Sequence, residues 1–261
     1  MSKFCPLFSD SGGNSTYIST SSGGLLVDVG VSLKTLKSAL ESAGGSIEEI
    51  KAVLITHEHT DHIKCISTLL KKYNIPLIAS EDTLRELIKA EKIPAGAKLL
   101  PIKDKKEISG IGIKRFATSH DCKGSSGYTF TLADGTKVGV CTDLGVMTDE
   151  VRSALLGCNT LLVESNHDIE MLRKGPYPPE LKLRIMSDKG HLSNNACAAE
   201  LAGFLKGGTT RFVLGHLSKH NNLPMLALST ARAALIDAGA EENKDYLLSV
   251  AKPQNNEVIY L

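Results

Sequence analysis

The stretch from Lys51 to Ile63, KAVLITHEHTDHI, constrains this chain more than any other. Ala52-Val53-Leu54-Ile55 is an apolar run bounded by Lys51 and Thr56, and it reads as a buried strand. At its end come His57, Glu58, His59, Asp61 and His62, and a helical pattern then runs to Tyr73. Three imidazoles and two carboxylates over positions 57–62 are a poor filling for a core, because buried polar groups without partners are costly. A metal resolves the conflict. His57 and His59 can point the same way from an extended segment and share one ion. Asp61 and His62 fall where the chain turns into a helix and can serve a second.

The chain is long enough for one large domain or two small ones, with 261 residues, 42% of them apolar and 23% charged. No repeat, low-complexity tract or linker divides it, which predicts a single domain over residues 1–261. Trp is absent, so aliphatic side chains must fill the core. Thirty Lys and Arg against 29 Asp and Glu give a net charge of +1, which neither favours nor excludes nucleic acid. A local basic surface would be needed. The six cysteines are scattered, with no Cys-x-x-Cys pair, as expected of reduced thiols. No signal-peptide pattern and no apolar run of membrane-spanning length is present. The expectation is a cytoplasmic protein with no membrane association; the oligomeric state is left open.

Period-two runs between turn residues predict a β-meander over 4–9, 15–20 and 25–27. The Ser11-Gly12-Gly13-Asn14 turn could offer its N–H groups as an anion nest or be a plain hairpin turn. Helices are predicted over 32–43, 80–90, 148–156, 193–206 and 222–238, with Ser32, Ser80, Thr148 and Ser193 at their starts. A short capped turn is expected at 46–49. Further strands are predicted over 76–79, 111–119, 160–163, 211–214, 246–250 and 257–260. A hairpin joins 128–132 to 137–142. Residues 173–183 read as a loop with short helical pieces.

Residues able to bind metal recur at the ends of these strands: Asp28, His120, Asp143, Glu164 with His167, and His216. In layered α/β folds, strand ends are where separate segments converge. His57-x-His59-x-Asp61-His62 after a strand resembles the signature of the metallo-β-lactamase-fold superfamily. Three later stretches, ESNHD at 164–168, SDKGHLSN at 187–194 and GHLS at 215–218, are similar to its bacterial YycJ-like (WalJ-like) subgroup.

That resemblance implies an α/β (α+β) fold, a four-layer αββα sandwich of two mixed β-sheets with outer helices. It implies His57, His59 and His120 as ligands of one metal and Asp61, His62 and His216 as ligands of a second, with Asp143 bridging them. Asp28 would lie beneath and orient a ligand. The cofactors implied are two divalent metal ions, Zn²⁺ or Mn²⁺, with Fe also suited to the donor set. Two ions roughly 3.5–4 Å apart share a hydroxide that serves as the nucleophile.

A bridging Asp143 in place of a Cys points away from the lactamase branch, toward phosphodiesterases, nucleases and thioesterases. Some members of the subgroup have 5′–3′ exonuclease activity, so the resemblance implies a phosphodiesterase with DNA as substrate. Asp61, Asp143 and His191 then form the catalytic set, Glu164 and His167 support the ligands, and His191, Lys189 and Ser193 bind phosphate. The pattern echoes metallo-nucleases of the ribonuclease J type. Those carry a large cap domain, whereas here only positions 165–190 separate Glu164 from His191.

Plainer readings stand beside several of these residues. His191 and Ser193 can be a helix-capping cluster, and His167 and His220 can orient a metal ligand, bind phosphate or be merely exposed. Lys174, Lys182, Arg184 and Lys189 can receive a nucleic-acid backbone or form a solvated face. The alternative functions are a small-molecule hydrolase, such as a glyoxalase II-like thioesterase or a lactonase, and a binding or regulatory protein without turnover. A basic groove near the metals favours nucleic acid; a narrow apolar pocket favours a small acyl substrate.

Overall fold

Strand β4 (Ile50–Leu54) shows why the chain forms layers. Ala52 and Leu54 join one hydrophobic cluster while Val53 and Ile55 join another. Successive side chains in a strand point to opposite faces, so a strand apolar on both must lie between two layers. The computed structural model describes residues 1–254 and 257–261.

Among the described residues, two seven-stranded sheets face each other. The first begins with the meander β1 (Lys3–Asp10), β2 (Gly13–Thr20) and β3 (Gly23–Val27). β4 then pairs parallel to β3, and β5 (Leu77–Ala79) and β6 (Leu99–Pro101) continue the parallel half. In the second sheet β7 (Lys105–Ile108), β8 (Ile111–Ala117), β9 (Ser126–Thr131) and β10 (Lys137–Cys141) are antiparallel. β11 (Thr160–Glu164), β12 (Arg211–Gly215) and β13 (Leu247–Val250) follow in parallel, and β14 (Ile259–Tyr260) returns to the edge of the first sheet beside β1.

The inner cluster takes Ile18, Leu25, Leu54 and Ile78 from the first sheet and Ile113, Phe130, Val140 and Leu162 from the second. Helices cover the outer faces. α1 (Leu33–Ser42), α3 (Ile66–Lys72) and α4 (Glu81–Lys89) bury Leu36, Leu69 and Leu87 against the first sheet. α5 (Asp149–Leu155), α8 (Asn194–Lys206) and α9 (Pro224–Asp237) bury Leu155, Leu201 and Leu235 against the second. The fold is thus the αββα sandwich of the α/β class.

Most predicted elements appear within a residue or two of their expected bounds, and Ser32, Ser80, Thr148 and Ser193 each accept an N-terminal N–H of the helix they precede. Three differences stand out. The helix after the metal-ligand strand breaks into α2 (Thr60–Ile63) and α3. β6 and β7 were not expected, because one is three residues long and the other, KKEI, has no apolar run. The 173–183 loop is more helical than expected, with α6 (Ile169–Lys174) and α7 (Pro179–Met186).

Candidate metal centre

Asp28 and His216 directly follow β3 and β12, Asp143 follows β10 after Thr142, and all three have positive φ, at 63°, 54° and 61° respectively. That region costs a non-glycine residue roughly 1–2 kcal/mol, and such residues cluster where function over-determines the backbone. The loops after β3, β4, β8, β10 and β12 meet at one edge of the sandwich, and they bring the five imidazoles of His57, His59, His62, His120 and His216 together with the carboxylates of Asp28, Asp61 and Asp143. Gly30 makes part of this close approach possible. A Cβ on it would stand 1.6 Å from the carbonyl oxygen of Asp61.

Each histidine of the predicted ligand set has a polar group beside one nitrogen and turns the other inward; His57, His62 and His120 are held by hydrogen bonds. The buried Asp28 carboxylate accepts the Thr56 N–H (2.9 Å) and hydroxyl (2.9 Å) and the His62 Nδ1–H (2.8 Å). With its hydroxyl proton committed, Thr56 Oγ1 accepts from His57 Nδ1 at 3.0 Å. His120 Nδ1 donates to the Gly190 carbonyl at 3.0 Å, and His59 Nε2 faces Asp121 Oδ1 at 3.6 Å. His216 Nδ1 lies 3.2 Å from Glu164 Oε1 and 3.1 Å from Asp143 Oδ1. Such anchoring partners fix the tautomer of a ligating imidazole.

The inward atoms crowd together. His57 Nε2 and His59 Nδ1 are 3.1 Å apart, and His59 Nδ1 and His120 Nε2 3.3 Å. His62 Nε2 is 3.3 Å from both Asp61 Oδ2 and Asp143 Oδ2, and Asp61 Oδ2 is 3.8 Å from His216 Nε2. A tetrahedral ion with arms of about 2.0–2.1 Å spaces its ligand atoms at about 3.3–3.4 Å. Asp143 Oδ2 and His216 Nδ1 are buried with no aligned hydrogen-bond partner. This donor set therefore fits divalent metal.

Titration behaviour agrees with that fit for part of the set. Burial, reinforced by neighbouring imidazoles, holds His57 well below the usual histidine range, and burial also lowers His59 and His120. The environment of these three favours the neutral form that a ligand needs, whereas for His62 and His216 burial acts the same way but Asp143, together with Asp28 or Glu164, overrides it and raises both rings well above the usual histidine range. For Asp143, burial acts to raise the carboxyl, but the charges of and hydrogen bonds from His216 and His62 outweigh it and hold it well below the carboxylate range. Burial likewise opposes the charged form of His191, and Glu164 overrides it, so the net shift is upward.

His191 Nδ1 donates to Glu164 Oε1 at 2.8 Å, which leaves Nε2 as its free nitrogen. Glu164 is fully buried and also accepts the Leu144 N–H (3.0 Å) and Leu192 N–H (3.3 Å). It therefore ties the loops after β10 and β11 to His191 and His216. A cleft of about 230 Å³ opens onto Asp61, His120, Asp143, His191 and His216. Its far wall is Tyr177 with Leu181, Arg184 and Ile185 of α7.

Other candidates fall elsewhere. Ser193 caps α8 by accepting the Ala196 N–H at 3.2 Å, and Asn194 N–H goes to the His167 carbonyl at 2.9 Å. The start of α8 is thereby satisfied internally, and neither Ser193 nor Lys189 lines the cleft. His167 is buried, its ring held by burial at about 4, with Nδ1 unpartnered. His220 is exposed and stacks edgewise on Tyr177. Of the basic set, Lys174 pairs with Glu170, Lys182 donates to the Arg173 carbonyl and Arg184 pairs with Asp121. The Ser11–Asn14 turn is no free nest, since Asp10 Oδ1 accepts both the Gly12 and Gly13 N–H groups.

Sequence reasoning missed Thr56, Asp121 and Asn14. Asn14 donates to the Asp10 carbonyl (3.0 Å) and to Asp61 Oδ2 (3.2 Å), and so orients a ligand from the first hairpin. It was read as a turn residue because its partner lies 47 positions away. Thr56 and Asp121 adjoin ligands in sequence, which was the available signal.

Residues 25–217 match the family model of the beta-lactamase superfamily domain. The chain is 36% identical over 240 residues to an exodeoxyribonuclease YycJ of Bacillus anthracis, covering 90% of each chain. It is 36% identical over 255 residues to an exodeoxyribonuclease WalJ of Streptococcus pneumoniae serotype 2, covering 96% of this chain and 94% of that one. Among solved structures, the metallo-beta-lactamase fold protein YhfI from Bacillus subtilis superposes with a TM-score of 0.72 at 16% identity, over 99% of this chain and 98% of that one. The chain belongs to the metallo-β-lactamase superfamily and, within it, to the YycJ/WalJ family.

Proposed function

We propose that this protein is a metal-dependent hydrolase that cleaves phosphodiester bonds in DNA from a strand end, as the names of its exodeoxyribonuclease relatives say of them. The observation that carries the reading is the Glu164–His191 pair beside the cluster of seven ligand-type residues, with His191 Nε2 free at the cleft. His57, His59 and His120 would hold one divalent ion and Asp61, His62 and His216 a second, with Asp143 shared. Zn²⁺ and Mn²⁺ suit these donors, and Fe is compatible. Bound there, such ions supply Lewis acidity toward a phosphoryl oxygen and lower the pKa of water to near neutral.

The chain's own residues do the rest. Asp28 and Thr56 keep His62 and His57 in the tautomers that face inward, and Asn14 holds Asp61. Glu164 favours the protonated form of His191, so Nε2 can hold a proton for a phosphate oxygen or pass it to the leaving oxygen. Tyr177 and α7 form one wall of the cleft. We place the protein in the cytoplasm as one domain over residues 1–261. All six cysteines are free, as a reducing compartment requires, and no helix among the described residues is long and apolar enough to cross a membrane.

The test is a turnover panel with Mn²⁺ or Zn²⁺ on 5′-phosphorylated DNA, RNA, a thioester and a lactone. Hydrolysis of DNA in preference to the other three is expected. Preference for the thioester or lactone would replace this reading with the small-molecule hydrolase.

A further inference from the structure

The basic set near α7 is largely engaged in local pairing, yet a second set of lysines is not. A groove of about 560 Å³ runs along the outer face of the second sheet beside α5, lined by Lys105, Lys114 and Lys137 with Glu107 as the acid among them. In the sheet register Lys105 stands opposite Lys114, Lys114 opposite Thr129, and Thr129 opposite Gly139. Directly opposed residues share a face. A Cβ on Gly139 would meet Leu155 of α5, so this row faces the helix side of the sheet. The next row runs Glu107, Gly112, Thr131, Lys137. Three exposed lysines and one exposed glutamate therefore cover the part of the outer face that α5 leaves bare.

Two features separate this from an ordinary solvated surface. Lysines on an exposed edge strand protect against sheet-to-sheet pairing, and that accounts for Lys105 on β7. It does not account for Lys114 and Lys137, which lie on interior strands β8 and β10. Like charges directly opposite across a strand pair are also destabilising, yet Lys105 faces Lys114 and none of the three lysines has an ion-pair partner among the described residues. A polyanion laid along the groove would offset that repulsion.

We infer that this groove holds the sugar–phosphate backbone of a DNA strand whose end lies at the metal centre, an inference that rests on the nuclease reading. β8 connects the two places. Lys114 precedes His120 by six positions, a reach of at most ~20 Å at about 3.3 Å per extended residue. A strand of duplex DNA covers that span in about six nucleotides. The lysines thus act on substrate remote from the cleaved bond and leave the chemistry untouched.

The experiment compares the metal-loaded wild type with Lys105→Gln/Lys114→Gln/Lys137→Gln and with Glu107→Gln. Binding of a hydrolysis-resistant phosphorothioate strand of ~30 nucleotides is followed by fluorescence anisotropy between about 50 and 200 mM salt. Turnover is followed on the same sequence as ordinary DNA and on a small activated phosphodiester. The triple variant is expected to bind about tenfold more weakly or worse, with the slope of log K against log salt shallower by about 2, three contacts at about 0.7 each. Its turnover of the small diester stays at the wild-type level. Glu107→Gln, which leaves the lysines in place, strengthens binding.

Unchanged affinity and salt slope in the triple variant would overturn the inference, as would equal losses on DNA and on the small diester. A wild type that hydrolyses the small diester but neither binds nor cuts DNA would instead overturn the nuclease reading on which it rests.

Discussion

Asp28→Asn isolates what a buried carboxylate beneath the metal centre contributes. The backbone there has φ of 63°, a conformation Asn tolerates, so the substitution changes the side-chain chemistry without adding strain. Asp28 accepts three hydrogen bonds, from Thr56 N–H, Thr56 Oγ1–H and His62 Nδ1–H. An Asn can keep its oxygen on the Thr56 N–H. Its NH₂ group then faces Thr56 Oγ1 and His62 Nδ1, where two acceptors are needed and two donors arrive. The relief is for His62 to accept at Nδ1, which moves its proton to Nε2, the atom 3.3 Å from Asp61 Oδ2 and Asp143 Oδ2.

A protonated Nε2 cannot ligate metal. Affinity for the ion held by Asp61, His62 and His216 should fall about 10–100-fold, the usual effect of removing such a partner. Folding without metal should lose about 1–3 kcal/mol, the cost of a mispaired buried polar group. At about 2–4 °C per kcal/mol, the Tm of the metal-free protein falls by ~2–12 °C. Competition against a chromophoric chelator gives the stepwise metal affinities, and circular dichroism gives Tm. Wild-type affinity for both ions in Asp28→Asn would refute the tautomer argument, whatever happened to Tm.

Asp143→Asn keeps the same backbone tolerance but removes the carboxylate shared by both ligand groups; metal analysis should show substoichiometric binding and turnover should be nearly abolished, with the far-ultraviolet spectrum unchanged. His191→Ala should leave metal content intact, lower hydrolysis of a 5′-phosphorylated oligonucleotide by about 10²–10⁴-fold, and spare an activated ester whose leaving group needs no proton. On the barrier scale that is about 3–5 kcal/mol, and equal losses on both substrates would argue for a metal or structural role. Chelation should abolish turnover and lower Tm. Re-addition of metal at 100 times Kd should restore about 2.7 kcal/mol of stability, measurable by thermal unfolding.

The readability of this chain followed how local each signal was. His57, His59, Asp61 and His62 share one stretch, so their spacing alone suggested metal, and the structure brings His120, Asp143 and His216 to the same edge. Caps such as Ser32 and Ser193 were legible because a cap interacts within four positions of itself. What escaped was set by contacts distant in sequence. Asn14 looked like a turn residue until Asp61 was seen beside it. Lys174, Lys182 and Arg184 looked like a free basic set until Glu170, the Arg173 carbonyl and Asp121 were seen to engage them. The lysines of the outer groove are separated in sequence and only the sheet register puts them side by side. β7 escaped for a related reason: its inward face is only half-buried and carries Lys106 beside Ile108, so no apolar alternation marks it.

The three ligand-region residues at positive φ connect the fold to the chemistry. A residue in the left-handed region cannot extend a strand, so Asp28 and His216 end β3 and β12, and Asp143 stands one residue beyond β10, at the edge where the imidazoles gather. Glycine would end these strands at lower conformational cost, but glycine has no donor atom. Surrounding contacts hold two of these residues in place: Ser15 Oγ–H on the Asp28 carbonyl, Ser9 Oγ accepting the His216 N–H, and Asn166 Nδ2–H on the His216 carbonyl. At roughly 1–2 kcal/mol each, the three together cost about 3–6 kcal/mol, a large part of the 5–15 kcal/mol by which proteins are usually stable. Glu91, Ser109 and Asn243 also have positive φ, but they sit in turns, where that conformation is common; the three at strand ends all stand beside one donor cluster, and that placement ties their strain to the site.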